Sequence, residues 1–437
     1  MKILVIGSGG REHALVKYLK RSEMVTEIYC APGNAGIGKE AVLVQIQPKD
    51  LNGLLNFTKG KEIDLTVVGP EQPLAEGIVD LFEKEGYKIF GPTRLAAELE
   101  GSKVFAKNFM KKYGIPTANY ATFSSKNRYD AERYISENPT PIVIKADGLA
   151  AGKGVSVCEN KEQALQVLDL IFTKKTFGDA GNQIVIEEFL VGEEASVFAV
   201  TDGTQYVVLS TAQDHKRIFD GDKGKNTGGM GAYAPAPIVD AEIMDKVKSQ
   251  IIQPTLIGMA KEGRPYRGCL YVGLMITETG PKVVEYNCRF GDPETQVVLP
   301  LLESDLTQLM IDTVGGNLSN HPIVIKNKTA VCVVIASGGY PDNYNIDKPI
   351  YGLEKIEEEE DVIVFHAGTK MTRDVIVTAG GRVLGITAIG EIDDLEGTIG
   401  KAYRAVEKIT FDGAYYRSDI GKKGVEYIRK LKRKDVL

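Results

Sequence analysis

Between residues 3 and 90 the chain switches repeatedly between two hydrophobic periods, and that switching restricts its fold more than any other feature. Short apolar runs at Ile3–Ile6, Glu27–Cys30, Leu65–Val68 and Lys88–Phe90 are separated by helical patterning from about Glu12 and from about Ala75 to Lys84. Strands alternating with helices predict a small parallel sheet with helices on both faces. Gly91-Pro92-Thr93 ends the pattern, and a helix over Leu95–Leu99 leads onward. A length of 437 residues exceeds what one core supports, so further domains must follow. Residues 141–190 read as a strand, a glycine-rich turn, a strand (Val155–Cys158), a helix (Lys161–Lys174) and a strand (Ile184–Glu188). Ala195 to Ala212 reads as a hairpin turning at Asp202-Gly203. The last hundred residues give short strands at Ala330–Ala336, Asp361–His366 and Val375–Thr378, then a helix near Gly397–Ile409. The expected divisions are 1–102, 103–325 and 326–437, the last a small, mostly-β domain.

Composition removes several function classes. A net charge of −6 disfavours a nucleic-acid partner. No apolar run approaches a membrane span, and the chain enters a strand at once, so neither a membrane role nor a signal peptide is expected and the location is read as cytoplasmic. Five scattered cysteines without Cys-x-x-Cys spacing read as reduced thiols, not a disulfide frame or zinc site.

The chemistry concentrates at Glu285-Tyr286-Asn287-Cys288-Arg289-Phe290-Gly291-Asp292-Pro293-Glu294, behind the alternating strand that starts at Lys282. Residues two apart on a strand share a face, so Glu285 and Asn287 should point together, with Val284 and Tyr286 opposite. A carboxylate and an amide oxygen are hard ligands that suit Mg²⁺, whose other positions go to water and nucleotide phosphates. Arg289 can hold a carboxylate or phosphate bidentately.

Two glycine loops need separate readings. Gly7-Ser8-Gly9-Gly10 follows a strand and opens a helix, but Glu12 stands where a dinucleotide fingerprint needs its third glycine. The second strand ends in Cys30-Ala31-Pro32-Gly33, with no acidic residue for a ribose, so a nicotinamide-dependent oxidoreductase is disfavoured. Amides at such a helix start still bind a lone phosphate well. Gly148-Leu149-Ala150-Ala151-Gly152-Lys153-Gly154 is one residue short of a P-loop and is followed by a strand. It reads as a flexible flap over a nucleotide, with Lys153 adding a cation.

Arg289 to Glu294 matches the signature of the phosphoribosylamine–glycine ligase family, ATP-grasp enzymes of purine synthesis. The chain resembles that family almost throughout: at Gly7–His13, Pro32–Gly36, Gly69–Leu74, Lys145–Gly154, Gln213–Arg217 and Asn226–Gly231. The resemblance implies a Rossmann-like N-terminal sheet, a central ATP-grasp fold of two α+β lobes with a mobile ATP lobe near 120–190, and the C-terminal domain. It implies ATP as co-substrate, Mg²⁺ or Mn²⁺ as metal, and glycine and 5-phosphoribosylamine as the other small molecules. Lys103 and Lys145 would contact phosphates along with Gly152 and Lys153. The hinge Glu187-Glu188-Phe189-Leu190 would bond adenine through its backbone, represented by Glu187 and Leu190, and Glu194 would hold the ribose, with Glu193 as the register alternative. Gly9, Gly10, Glu71, Asp214 and Asp292 fall on the substrate side, Arg289 and Lys145 carry charge neutralisation, and Glu285 and Asn287 hold the metal. Departures are modest: Lys225 replaces a common proline and Ala234 a common serine. The strand at Gly273–Ile276 also offers no acidic metal ligand. A related carboxylate–amine ligase or biotin-type carboxylase would fit Glu-x-Asn-x-Arg, but not Arg-Phe-Gly-Asp-Pro-Glu.

Overall fold

The structure, a computed structural model, describes residues 1–148, 154–318, 322–356 and 359–434. Its first sheet has five parallel strands in the order Val42–Leu43, Glu27–Pro32, Lys2–Gly7, Leu65–Val68, Ile89–Phe90. Alternation on Lys2–Gly7 buries both faces: Leu4 and Ile6 join a cluster with Leu54, Val79 and Phe82, while Ile3 and Val5 join Leu15, Leu19 and Val298. Each such side chain contributes about 1.5–3 kcal/mol when fully buried. Strand order reverses beside Lys2–Gly7, so the crevice where an open α/β sheet takes ligands lies past Gly7 and Val68. The Gly9–Gly10 loop and Glu71 stand at that crevice. The helix expected over residues 75–84 is two helices, Glu71–Ala75 and Ile78–Lys84. They break at Gly77, whose φ of +90° belongs to the left-handed region that favours glycine.

Two antiparallel sheets follow. The larger runs Tyr206–Val208, Glu193–Thr201, Gly268–Thr277, Gly280–Asn287. The smaller runs Tyr120–Ser124, Gln183–Glu188, Ile142–Ala146, Val155–Cys158 and has its own core of Ile135, Ile142, Ile144, Leu168, Ile184 and Ile186. A bulge interrupts the strand that carries Glu285. Gly273 pairs with Glu285, but Leu274 pairs with Val283, leaving Val284 as the extra residue. Val283, not Val284, therefore shares the buried face with Tyr286, which corrects the simple alternation expected from the sequence. The bulge also turns the Val284 carbonyl toward Lys145, whose Nζ donates to it at 3.1 Å.

The last large sheet is not built from the final hundred residues alone. Gln213–Asp214 pairs with Gly231–Ala234, which pairs onto Lys328–Ser337, and the sheet continues to Arg382–Glu391 and Val362–His366. Arg417 fastens this region from within. Fully buried, it forks onto Asp419 (Nε–Oδ1 and Nη2–Oδ2, both 2.8 Å) and donates through Nη1 to Asp222 Oδ1 and the Arg217 carbonyl, both at 2.9 Å. Arg417→Met should cost about 3 kcal/mol at neutral pH, since it takes the cation from Asp419 and leaves Asp222 with Lys423 alone. Burial pushes the Asp419 carboxyl up, but the Arg417 fork more than reverses this and holds it at about 2 against an ordinary 3.8. A carboxyl depressed in the folded state stabilises above its unfolded value and loses that stabilisation as pH falls through the folded one. The stability gap between wild type and Arg417→Met, measured by urea titration, should therefore be full at pH 7 and narrow between about pH 4 and pH 2. A gap that does not change with pH would contradict this account.

Candidate active site

Glu285 and Asn287, half-buried at the end of their strand, stand among cations. Lys216 Nζ lies 3.8 Å from Glu285 Oε1, and Arg289 Nη2 donates to Asn287 Oδ1 at 3.1 Å. Burial pushes the Glu285 carboxyl up, yet Lys216, Lys145, Lys103 and Arg289 together hold it below the ordinary value. Four cations converge on this one carboxylate, and Glu194, Glu187, Glu71 and Glu100 hold three of them in place as ammonium and guanidinium donors that a polyphosphate can use. The donor pair also fits a hard divalent cation. Among the described residues no group of three or more His, Cys, Asp or Glu side chains forms a metal cage, so phosphate oxygens and water would fill the other positions.

The nucleotide residues come from several elements. Lys103 opens the helix Lys103–Lys112, whose cap Ser102 accepts from Phe105 N–H at 3.0 Å and donates to Asp147 at 3.1 Å. Lys103 Nζ donates to the Gly148 carbonyl at 2.8 Å, which ties the lysine to the start of the glycine-rich turn. Gly152 and Lys153, expected in the flap, lie outside the described residues. Lys145 is buried, and Glu187 explains how: its carboxylate takes Lys145 Nζ at 3.0 Å and Lys107 Nζ at 3.1 Å. The Glu187 side chain thus anchors Lys145, and its backbone lies on a strand paired on both sides. Leu190 lies beyond that strand's end, between the exposed Phe189 and Val191.

Glu193 and Glu194 face opposite ways, as successive strand residues do. Glu194 Oε2 binds Lys216 Nζ at 2.6 Å, the same ammonium that approaches Glu285. Glu193 instead meets Lys423 at 3.8 Å and Gln213 Nε2 at 3.5 Å, toward the C-terminal helix Lys422–Lys434. Only Glu194 shares a partner with Glu285.

At the other end, the sheet crevice meets the Arg289–Glu294 loop. Gly9 N–H donates to Glu12 Oε2 at 2.5 Å, and Arg11 Nε donates to Glu12 Oε1 at 2.6 Å. Glu12, which spoils the dinucleotide fingerprint, thus folds back under the loop and takes the Gly9 amide expected to serve phosphate. What Gly9 and Gly10 supply is closeness. A Cβ on Gly10 would sit 2.5 Å from Gln296 Nε2, and one on Gly9 would sit 3.2 Å from Asp292 Oδ2. Asp292 is fixed by Gln296 Nε2 at 2.7 Å and by Arg382 Nη2 at 3.0 Å. Arg382 also donates to the carbonyls of Asp292 (2.8 Å) and Gly228 (2.5 Å), pinning the Thr227–Gly231 turn to the signature loop. Glu71 receives Arg289 Nε at 3.3 Å, and Glu100 receives Arg289 Nη2 at 2.9 Å. Asp214, half-buried on its short strand, is held well above the carboxylate range. Burial is the main cause, Lys216 opposes it, and Glu294, Glu194 and Glu285 add to it.

Sequence reasoning missed Lys107, Lys216, Glu100 and Arg382. Lys216 had a usable signal, since it lies two residues from Asp214. Arg382 lies 90 residues from Asp292 in an ordinary strand, with no local mark of its role.

Comparison with known proteins agrees with this architecture. Phosphoribosylglycinamide synthetase domain models match in order: the N domain over residues 1–100, the ATP-grasp (A) domain over 101–295 and the C domain over 330–423. A phosphoribosylamine–glycine ligase from Chlorobaculum tepidum is 50% identical over 97% of this chain and 100% of its own length. The crystal structure of phosphoribosylamine–glycine ligase from Thermotoga maritima superposes with a TM-score of 0.82 at 35% identity, covering 96% of this chain and all of that one. The biotin carboxylase domain of Hydrogenobacter thermophilus 2-oxoglutarate carboxylase shares the fold, with a TM-score of 0.73 at 17% identity over 95% of this chain and 91% of that one. The chain belongs to the phosphoribosylglycinamide synthetase family, whose members carry the name phosphoribosylamine–glycine ligase.

Proposed function

We propose that this chain joins glycine to 5-phosphoribosylamine at the expense of ATP, releasing glycinamide ribonucleotide, ADP and phosphate in purine biosynthesis. One observation carries the reading: a cation-ringed carboxylate–amide pair, Glu285 and Asn287, stands two residues before an arginine that reaches the crevice of the N-terminal sheet. On this reading a phosphate-binding cleft and a sugar-phosphate crevice lie on either side of Arg289.

A free carboxylate is a poor electrophile toward an amine, and phosphorylation turns one of its oxygens into a leaving group. A glycine carboxylate oxygen attacks the γ-phosphorus, the bond to the β,γ-bridging oxygen breaks, and ADP departs. The amine of phosphoribosylamine then attacks the acyl carbon of glycyl phosphate, and phosphate leaves with that glycine oxygen. Lys145, fixed by Glu187, and Lys103 hold nucleotide phosphates; Arg289 neutralises the glycine carboxylate. Mg²⁺ or Mn²⁺ on Glu285 and Asn287 would neutralise phosphate charge. Glu194 takes the ribose hydroxyls, Leu190 borders adenine, and the lobe near 120–190 closes over ATP with Gly152 and Lys153. Glu71, Gly9, Gly10 and Asp292 line the phosphoribosylamine crevice. Asp214, whose raised carboxyl is a stronger base once ionised, receives the amine. The three units 1–102, 103–325 and 326–437 act together in the cytoplasm; no described helix is long and apolar enough to cross a membrane.

The test is an ADP-release assay with each substrate omitted in turn. Sustained ADP release is expected only when glycine and phosphoribosylamine are both present, since glycine alone can yield at most one equivalent per site as glycyl phosphate. Sustained release with either one alone would defeat the reading.

A further inference from the structure

Arg289 is held by more than its role as a substrate cation requires. Its Nη2 forms an ion pair with Glu100 Oε1 at 2.9 Å and donates to Asn287 Oδ1 at 3.1 Å, while Nε donates to Glu71 Oε2 at 3.3 Å. The two acids differ in setting. The Glu71 side chain is 32% exposed, facing the crevice, whereas that of Glu100 is 8% exposed. The other Glu100 oxygen accepts from the Cys288 backbone N–H at 2.7 Å and from Cys288 Sγ at 2.9 Å. Glu100 thus grips both the arginine and the backbone just before it.

Its position is locally unfavourable. Glu100 lies in the last turn of the helix Arg94–Gly101, where the macrodipole disfavours an anion and no basic residue offsets it. Burying a carboxylate adds a further cost unless it is paired. A glutamate kept there, bonded to Arg289 and its neighbour, is explained by what it holds.

We propose that Glu100 is the positioning residue for Arg289: it fixes the Nη2 edge of the guanidinium, while the Nε edge exchanges Glu71 for the carboxylate of glycine. The proposal rests on the function proposed above. An arginine side chain has many rotamers, and anchoring one edge before substrate arrives removes much of that entropy loss from the binding step. Glu100 does this without touching substrate.

Kinetics of Glu100→Gln, Glu100→Asp and Arg289→Lys, alone and combined, test it, with ATP-dependent thermal shift to verify folding. Glu100→Gln should raise KM for glycine about tenfold and lower kcat, leaving KM for ATP within about twofold. A merely structural defect would reduce the active fraction without a glycine-selective change. Glu100→Asp, one methylene shorter with its charge kept, should fall between the two and still raise KM for glycine about threefold; it carries the test if Glu100→Gln does not fold. On an Arg289→Lys background, Glu100→Gln should add less than about threefold, because both act through one guanidinium. Unchanged glycine KM in the folded variants, or fully multiplicative effects, would overturn the assignment. Wild-type ADP release that ignores glycine would instead overturn the functional reading and leave the Glu100–Arg289 coupling to be judged by the cycle.

Discussion

Glu285→Gln should lower turnover about a thousandfold at saturating Mg²⁺ while leaving the thermal unfolding curve in place. The size follows from its surroundings. Glu285 is the anion toward which Lys216, Lys145, Lys103 and Arg289 all direct their fields, and it is the charged member of the proposed metal pair. A neutral amide keeps the shape but loses most of the attraction to a divalent cation. The fold should tolerate the change, because the nearest ion-pair partner, Lys216, is 3.8 Å away and is held independently by Glu194 at 2.6 Å. Asn287→Asp should be milder and shift the balance between Mg²⁺ and Mn²⁺, since it adds charge to the same pair. Steady-state ADP release over a metal titration checks both. Glu285→Gln activity within a few-fold of wild type would remove the carboxylate from the metal site.

How the cleft was assembled was only partly legible in the sequence. The i, i+2 spacing of Glu285 and Asn287 was readable, because strand alternation is a local property. The bulge at Val284 was not, because it arises from register against Gly268–Thr277, a strand distinct in sequence. Yet that bulge directs the Val284 carbonyl at Lys145. The same limit applied to Glu12. Its presence disqualified a dinucleotide loop on sequence grounds, but its bond to Gly9 N–H needed the folded turn. The first sheet was legible because each strand is a short apolar run bounded by turn residues. The helix expected at 75–84 failed at Gly77, where one left-handed residue outweighed the periodicity on either side. Lys145 illustrates a third case. Its likeness to family lysines suggested phosphate contact, but only tertiary structure shows Glu187 and Val284 holding it. Residues acting through backbone groups or distant partners, such as Arg382, leave no periodic trace, and no local pattern could have found them.

Glycine carrying heavy oxygen in its carboxylate should pass one labelled atom to inorganic phosphate per turnover, with ADP and never AMP as the nucleotide product. The label travels because the glycine oxygen that attacks the γ-phosphorus is the oxygen that leaves when the amine displaces phosphate. Arg289 lies where this attack needs help: its guanidinium joins Asn287, beside Glu285, to Glu71 at the crevice. Arg289→Lys should therefore cut kcat by about a hundredfold. A single ammonium cannot reproduce the fork that spans Glu100, Asn287 and Glu71 together, although it keeps the charge. The residual turnover should still carry label into phosphate, since the substitution slows the route without changing it. Mass spectrometry of the released phosphate reads both outcomes in one experiment. Unlabelled phosphate from labelled glycine, or AMP with pyrophosphate, would exclude glycyl phosphate and require the cations around Glu285 to serve a different transfer.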